Sequence, residues 1–349
     1  MVVPVMPPVG SGWPSWLPGP DILFLGIPLG QCWLRCELVL HGVPAYTGQR
    51  RKVDIPKPGP DEVLIRVVAT GLAPKDWKFT KNSGRDRALN AGDDIAGIVE
   101  SVGSSVFEYK PGDRLPLFTA WVTHQAHMLT AIALYQALQL PLPTVPGSKD
   151  TSVLIYGGAT AVGAYALQSA KLSGLGPIVT VAGSGIDYVK SLDVADHIID
   201  YRQGNVTQTV LSALNSRNVH RALDAVSSKG SHQVIVDILT ASGGENVKFS
   251  LTFVASAYSQ KHAYITQKQA DADGEFAFFF YRYLSYLLAQ GRSKPHPHEV
   301  LPDGLDGIVS GVQRLYDGKV LAKKLVSRNS ETPELKLRSQ LERGKPTLP

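Results

Sequence analysis

The 349-residue sequence predicts an α/β protein that combines a doubly wound parallel sheet with a smaller β-rich domain. The first observation is a short apolar run at Val153–Tyr156, followed by a glycine-rich turn and a helix at Ala161–Leu172. The second is that strands and helices then alternate, which is typical of a parallel sheet with right-handed crossovers. The third is that residues 37–114 carry short strands between many Gly and Pro residues, which favours a small β-barrel.

The composition is that of an ordinary globular protein and excludes several other classes. The length suits about two domains, and 44% of the residues are apolar against 19% charged. The basic residues behind the net charge of +5 are scattered, so no nucleic-acid interface is predicted. The only two cysteines, Cys32 and Cys36, do not form a disulfide framework, which favours a reducing, cytoplasmic location. The apolar run Ile22–Trp33 is too short to span a bilayer, so no membrane partner is expected.

Residues 1–36 differ from the rest of the chain because seven prolines interrupt them. This density of proline predicts an irregular N-terminal extension. From Glu37 onward we expect a first domain of short strands and turns with few helices. Its predicted elements are a strand and turn at 37–48, a strand at Val63–Thr70, a loop that becomes a helix at Gly71–Lys78, a turn and strand at Gly92–Gly103 and a tight turn at Lys110–Arg114.

The second half begins with a predicted helix at Met128–Leu140 and then alternates between strands and helices. The predicted strands are Val153–Tyr156, Ile178–Ala182, His197–Ile199 and Arg221–Val226, and the helices that follow them are Ala161–Leu172, Ile186–Leu192, Val206–Leu214 and His232–Leu239. An aromatic-rich helix at Phe276–Leu288, a helix at Gly304–Tyr316 and a strand at Lys319–Val326 complete the pattern. Residues beyond Asn329 are expected to fray.

The turn after the first of these strands is the candidate anion site. It reads G-G-A-T-A-V-G, which departs from a strict G-x-G-x-x-G pattern. A helix that starts on such a turn presents backbone N–H groups and a positive dipole end, which suit a pyrophosphate. An ordinary tight turn is the alternative, but the strand–helix repeats that follow favour a Rossmann dinucleotide-binding sheet. The predicted cofactor-binding residues are Gly157, Gly158, Ala159, Thr160, Ala161, Val162 and Gly163.

The end of the second strand, P-I-V-T-V-A-G-S-G, favours NADPH over NADH. In NAD-binding sheets an acidic residue at this point bonds the ribose 2′-hydroxyl. Here no acid appears before Asp187, which lies in the following helix, so the small turn residues leave room and donors for a 2′-phosphate. Tyr201, after the third strand, is expected to reach the same adenosine unless it only packs on the surface, and Arg202 is the competing phosphate ligand. The predicted cofactor-binding residues here are Gly183, Ser184, Gly185 and Tyr201.

Seven motifs in a fixed order resemble those of the medium-chain dehydrogenase/reductase superfamily. They are G-L-A-P-K-D-W-K, G-D-D-I-A-G-I-V-E-S-V-G, K-P-G-D-R, V-L-I-Y-G-G-A-T-A-V-G, V-K-S-L, D-Y-R and G-K-V-L-A-K-K-L-V, between about Glu37 and Val326. Within the superfamily they are most similar to the zinc-independent quinone oxidoreductase-like branch, particularly the fungal trans-acting enoyl reductases.

The resemblance implies a catalytic domain with a chaperonin-10 (GroES)-like β-barrel, split around the nucleotide-binding domain. The implied boundaries are the extension at 1–36, the first part of the catalytic domain at 37–127, the Rossmann NADP-binding domain at 128–275, a return to the catalytic domain at 276–330 and a tail at 331–349. A homodimer through the nucleotide-binding sheet is common in the superfamily, and the sequence leaves the oligomeric state open.

No catalytic zinc is expected. Zinc-dependent members of the superfamily carry a cysteine in the loop here written G-L-A-P-K-D and a histidine–glutamate pair in the element here written G-D-D. This chain has Leu72 and Ala73 in the loop and Asp93 and Asp94 in the second element, so three protein ligands are lacking. The pair His124 and His127 has helical spacing but no evident third ligand.

Without a metal, the resemblance implies hydride transfer from NADPH to an activated C=C bond or a quinone. The loop that matches the nicotinamide and ribose contact in the family is Lys75, Asp76, Trp77 and Lys78, and Val320 in the last motif joins the predicted cofactor contacts. Lys75 and Asp76 are the predicted catalytic residues. Lys75 would polarise a carbonyl or enolate oxygen, unless it is a solvated loop lysine. Asp76 would alternatively be the N-terminal cap of the short helix.

The passage Leu115–Leu129 departs from the family because it is shorter than expected for closing the barrel. Two hypotheses follow. The first is an NADPH-dependent, zinc-free reductase of an activated C=C bond or a quinone. In a biosynthetic setting it would act as an enoyl reductase on a carrier-bound polyketide, with a polyketide synthase as its partner. The second is an NADPH-binding protein without turnover, because its barrel is truncated.

Overall fold

The computed structural model describes the parts of the chain that carry the predicted elements. The described residues are 2–4, 27–29, 32–40, 46–60, 62–82, 89–90, 92, 94–115, 124–145, 147–215, 217–228, 230–243, 247–251, 255–261 and 265–335. They form two compact units. The first contains the described residues of 1–123, 297–320 and 324–349, and the second those of 124–296 and 321–323.

The first unit begins with antiparallel strands and one short helix. In chain order these are β1 (Val2–Pro4), β2 (Ile27–Leu29), β3 (Cys32–Leu40), β4 (Tyr46–Asp54), β5 (Glu62–Gly71), α1 (Lys75–Asn82), β6 (Leu89–Asn90), β7 (Asp94–Val102) and β8 (Arg114–Leu115). β5 pairs with β1 and β7, and β7 with β8. A second sheet has the order β2-β3-β4, with β6 alongside β3. Val63, Ile65 and Val67 alternate along β5 and pack with Ile95 and Val99 of β7, as expected for paired strands over a core.

The second unit is built on a five-stranded parallel sheet with helices between its strands. Its elements are α2 (His124–Ala131), a π-helical segment at Ile132–Ala137, β9 (Val153–Tyr156), α3 (Ala161–Leu172), β10 (Ile178–Ala182), α4 (Ile186–Leu192), β11 (His197–Asp200), α5 (Val206–Leu214), β12 (Arg221–Asp224), α6 (Ser231–Ser242), β13 (Lys248–Leu251) and α7 (Gln267–Ala289). The strand order β11-β10-β9-β12-β13 is that of a Rossmann half-sheet extended by further strands. The predicted doubly wound sheet is therefore confirmed.

Both faces of this sheet are buried. Ile155 of β9 packs into one core cluster, whereas its neighbour Leu154 packs into another. This arrangement explains why β9 is an apolar run and why β10 is apolar except for Thr180, whose buried hydroxyl group donates to Ile155 O.

The chain then returns to the first unit through β14 (His298–Leu301), α8 (Ile308–Tyr316) and β15 (Lys324–Arg328). β15 pairs antiparallel with β5 and parallel with β14. The predicted strand at Lys319–Val326 starts five residues late because Ala322 adopts a left-handed backbone conformation (φ 49°), which an extended strand does not accommodate.

Several predicted boundaries differ from the structure. The extension 1–36 contains β1, β2 and the start of β3, and an edge strand such as β2 tolerates its proline. The helix predicted at Met128–Leu140 becomes π-helical after Ala131, where Leu138 N–H donates to Ala133 O. α7 spans the predicted boundary at 276, and its buried Phe280 packs in the second unit. β13 and β14 were not predicted.

The predicted tail also begins later than expected. Asn329 Nδ2 donates to Val67 O, and Leu305 N–H donates to Thr332 Oγ1, with Asn329 and Thr332 both buried. These bonds attach Asn329 to β5 and Thr332 to the segment before α8. Among the described residues, no helix is both long enough and apolar enough to cross a membrane.

A buried ion pair joins the beginnings of β7 and β15. Lys324 Nζ donates to Asp94 Oδ2, and the two side chains are 9% and 1% exposed. Such a pair contributes little net stability because burial removes two charges from water, but the loss of one partner leaves the other charge uncompensated.

We therefore expect Lys324→Met to lower the free energy of unfolding by about 3–5 kcal/mol. The matched control is Lys319→Met, because Lys319 forms its ion pair with Asp317 in solvent, with 69% of the lysine side chain exposed. The control should lose no more than about 1 kcal/mol. Urea unfolding of both variants measures the difference, and equal losses would contradict the structural role of the buried pair.

Candidate functional site

The glycine turn after β9 is tied to the neighbouring strand β10. The N–H groups of Gly157 and Gly158 donate to Val181 O at 2.9 and 3.1 Å. Thr160 is the N-cap of α3, because its Oγ1 accepts from Gly163 N–H at 3.0 Å. The same hydroxyl group donates to Gly157 O at 2.9 Å. The turn therefore holds the N-terminal end of α3, with its positive dipole, at the carboxyl edge of the sheet.

Close packing explains the glycines of this turn. Gly157 has φ +94°, and a Cβ atom there would lie 2.5 Å from Val226 Cγ2. A Cβ atom on Gly158 would overlap Thr180 Oγ1, and one on Gly163 would overlap Gly157 O. A tight turn alone would require these glycines, so their presence does not by itself prove a ligand site. They leave a backbone-lined cradle at the start of α3, flanked by the half-buried Ala159, Ala161 and Val162.

The residues predicted after β10 lie together in the second unit. Gly183 is buried against the Tyr201 ring, since a Cβ atom there would overlap that ring, and the Tyr201 side chain is half exposed. Ser184 is exposed, and Gly185 packs against Ala159 and Ala322. The structure thus brings Tyr201 to the end of β10, as the topology predicted.

Charged residues surround this position. The guanidinium group of Arg202 bonds Asp200 at 2.6 Å. Side-chain and backbone hydrogen bonds from Arg202 lower the pKa of Asp200 to about 2, with a smaller contribution from Lys190. The pKa of Arg202 is raised mainly by its hydrogen bond to Asp200, and the charge of Asp187 makes a smaller contribution. Lys190 was not predicted as a site residue, although its position in α4, the helix that follows the turn after β10, could have indicated that it lies near this site.

In the first unit, Asp76 organises the loop predicted to contact the nicotinamide. Its Oδ2 accepts from Ala73 N–H at 2.8 Å, and its Oδ1 accepts from Gly92 N–H at 3.1 Å and from Lys75 Nζ at 2.9 Å. Asp76 is the second residue of α1, and its carboxylate reaches back to Ala73 N–H, as the acidic residue of a capping box does. Asp76 is thus not the N-cap itself. Its side chain is fully buried, whereas that of Lys75 is 21% exposed.

Trp77 and Val320 belong to one apolar cluster of the first unit, with Leu72 and Leu305 in its buried core. The Trp77 ring meets the Tyr316 ring edge-on at 5.4 Å between centroids. Lys78 is exposed. The predicted site residues therefore form two groups, one around Lys75 in the first unit and one around the glycine turn in the second.

The residues considered as metal ligands have other contacts. Leu72 is buried in the apolar cluster, Asp94 is paired with Lys324, and His127 stacks on Tyr165. No group of three His, Cys, Asp or Glu side chains able to hold a metal ion occurs in the part of the chain that the structure describes. Asp93 and the side chain of His124 lie outside the described residues, as does most of the short passage Leu115–Leu129.

Comparisons with known proteins agree with this architecture. Residues 59–148 match the alcohol dehydrogenase GroES-like domain. A trans-enoyl reductase of Gibberella fujikuroi is 33% identical over 71% of this chain and 86% of its own length. A trans-enoyl reductase of Alternaria alternata is 29% identical over 80% of this chain and 94% of its own length.

Solved structures share the fold at low sequence identity. A quinone oxidoreductase of Pseudomonas syringae pv. Tomato superposes with a TM-score of 0.62 at 19% identity, covering 84% of this chain and 99% of that one. The CurK enoyl reductase superposes with a TM-score of 0.60 at 17% identity, covering 85% and 99%.

The packing at the glycine turn predicts that Gly157→Ala destabilises the protein more than Gly243→Ala. Both glycines have a positive φ, so each alanine costs about 1–2 kcal/mol in backbone strain. Gly157 is closely packed, whereas a Cβ atom on Gly243 would meet nothing within 4 Å. Overpacking against Val226 should add about 1–3 kcal/mol. Equal losses of unfolding free energy in urea would contradict the close approach.

Proposed function

The chain is an oxidoreductase of the medium-chain dehydrogenase/reductase superfamily and has fungal trans-enoyl reductases among its relatives, and we propose that it reduces enoyl thioesters with NADPH and without zinc. The observation that carries this proposal is the glycine turn at the start of α3, on the carboxyl edge of a Rossmann sheet. In such sheets ligands bind where the strand order reverses. Here the reversal lies between β9 and β12.

The glycine turn supports a dinucleotide site. A Cβ atom on Gly157, Gly158 or Gly163 would meet neighbouring protein atoms, so glycine lets the turn pack tightly against the start of α3, where backbone N–H groups and the helix dipole favour a pyrophosphate. The residues that would hold the pyrophosphate are those of 157–163, with Thr160 holding the first turn of α3 in place.

Three features support NADPH over NADH. β10 ends in Ala182 and continues into Gly183 and the exposed Ser184, so no carboxylate stands where the 2′-hydroxyl of NADH would be bound. The half-exposed Tyr201 ring covers Gly183 and offers a hydroxyl group. Lys190 and Arg202 supply cations nearby, although Arg202 is already bonded to Asp200.

When bound, NADPH supplies a hydride to the electrophilic β-carbon of the substrate. Addition of the hydride would convert the C=C bond into an enolate with its negative charge on the thioester oxygen, and Lys75 is the proposed cation that stabilises this charge. The α-carbon of the enolate then takes a proton from solvent, which completes the reduction. Asp76 holds Lys75 by an ion pair and is itself fixed by backbone N–H groups, so the ammonium group is oriented before the substrate arrives. Trp77, Lys78 and Val320 are the further proposed cofactor contacts of the first unit.

We propose chemistry without zinc because the side chains at the positions of the zinc ligands are either paired with another residue or apolar. Asp94, in the element where zinc-dependent relatives carry ligands, is neutralised by Lys324, and Leu72 in the preceding loop has no metal-binding atom. The substrate is proposed to be an enoyl group on the carrier domain of a polyketide synthase. The names of the trans-enoyl reductase relatives support an enoyl substrate.

The direct test is an NADPH-oxidation assay followed at 340 nm, with a 2-enoyl thioester and a quinone offered separately. We expect turnover of the thioester, tighter binding of NADPH than of NADH in a fluorescence titration, and substoichiometric zinc by elemental analysis. Binding of NADPH without oxidation would favour a binding protein without turnover. Tighter NADH binding or one zinc per chain would reject the cofactor or the metal-free part of the proposal.

Replacing Lys75 by alanine should reduce kcat by roughly 10²-fold, because one stabilising contact to the developing oxyanion is lost. The Kd for NADPH should change by less than about threefold, since the pyrophosphate cradle is in the other unit. Lys110→Ala, which removes an exposed lysine of the same unit, is the matched control and should retain full kcat. A Lys75→Ala variant with unchanged kcat on the thioester would remove Lys75 from the mechanism.

A further inference from the structure

The buried carboxylate of Asp224 organises the turn that follows β12. Asp224 is the last residue of β12 and is 0% exposed. Its Oδ1 accepts from Val226 N–H and Ser227 N–H, both at 2.9 Å, and its Oδ2 accepts from the Ser231 hydroxyl group at 2.5 Å. A buried carboxylate is costly unless its oxygens are satisfied, so these bonds are needed for the strand to end here.

These bonds connect three pieces of local structure. Ser231 begins α6, and Ser227 takes a left-handed conformation with φ 49°. The Ser227 hydroxyl group donates to Asp224 O at 3.3 Å. The single carboxylate thus holds together the end of β12, the turn at 225–228 and the start of α6.

The same turn packs against the glycine turn. Ala225 N–H donates to Tyr156 O at 2.9 Å, and Thr160 Oγ1 lies 3.4 Å from Ala225 O as a weak donor. Val226 Cγ2 occupies the space that a Cβ atom on Gly157 would need. β9 and β12 are neighbours at the point where the strand order reverses, so the two turns form opposite sides of one edge.

We propose that Asp224 is a positioning residue for the dinucleotide: its carboxylate fixes the turn at 225–228, which in turn braces Thr160 and Gly157 at the start of α3. The proposal rests on the proposed function and adds to it a residue that contributes to cofactor affinity without touching the cofactor. The oxygen acceptors matter more than the charge, because the carboxylate accepts from two backbone N–H groups and a hydroxyl group.

Two substitutions separate the acceptors from the charge. Asp224→Asn keeps an oxygen for the two backbone N–H groups, and its amide nitrogen can donate to Ser231 Oγ. Asp224→Ala removes every acceptor and frees the turn. We expect Asp224→Ala to raise the Kd and the KM for NADPH by roughly tenfold or more, as for the loss of buried hydrogen bonds. The Asn variant should stay within about threefold of the wild type.

A comparison of the effects on kcat and on KM distinguishes a positioning role of Asp224 from general damage to the protein. At saturating NADPH, Asp224→Ala should keep kcat within about threefold of the wild type, because the reacting groups are intact. Asp237→Ala is the matched control, since Asp237 is an exposed carboxylate on α6 that accepts from the Gln233 amide group. The control should leave both Kd and KM unchanged.

If Asp224→Ala does not fold, Ser231→Ala provides a milder variant that removes one donor, and its Kd for NADPH should rise by about two- to fivefold. Wild-type Kd values in Asp224→Ala, or in Ser231→Ala when the alanine variant at 224 is unfolded, would overturn the proposal. A fall in kcat with unchanged KM would also overturn it. Failure of the wild-type protein to bind NADPH or NADH would instead overturn the proposed function, so the two failures are distinguishable.

Discussion

The close approach of main-chain segments around the first parallel strand is the constraint on which the second unit depends. The turn after β9 touches β10, α3 and the turn after β12 at distances that leave no room for side chains at Gly157, Gly158 and Gly163. The strand itself is buried on both faces, with Leu154 and Ile155 in separate cores. A shift of β9 would therefore disturb both cores and the helix N-terminus together. The candidate anion cradle is held in place by the same contacts that pack the sheet.

Three buried carboxylates show different ways of satisfying a charge. Asp94 is matched by the ammonium group of Lys324, Asp76 by two backbone N–H groups and Lys75, and Asp224 by two backbone N–H groups and a hydroxyl group. Asp76 and Asp224 lie near the ends of elements, where N–H groups lack partners within the helix or strand, and each fixes a turn. Asp94 instead joins the starts of β7 and β15. At Asp76 the carboxylate also orients the partly buried ammonium group of Lys75.

The parallel sheet could be predicted from the sequence because its signals are local. β9 and β10 are short apolar runs bounded by glycine, and their observed limits match the prediction, as do those of α3 and α4. The strand β13, K-F-S-L, lacks such a run and was missed. β12 ended two residues early because Asp224 takes the N–H groups that a longer strand would have used. The pairing of Lys324 with Asp94 joins residues 230 positions apart, and no local pattern indicates it.

The charges around Tyr201 do not by themselves explain a preference for a cofactor that carries a 2′-phosphate. Lys190 and Arg202 bring two positive charges, while Asp187 and Asp200 bring two negative ones. The local charge is thus balanced, and Asp187, Lys190 and Arg202 are exposed, so solvent and salt screen them. The proposed preference for NADPH then rests on geometry: the missing acid after β10, the small residue Gly183 beneath the Tyr201 ring, and the hydroxyl groups of Ser184 and Tyr201. The decisive feature of this edge is therefore the carboxylate that it lacks at the end of β10, more than any cation that it carries.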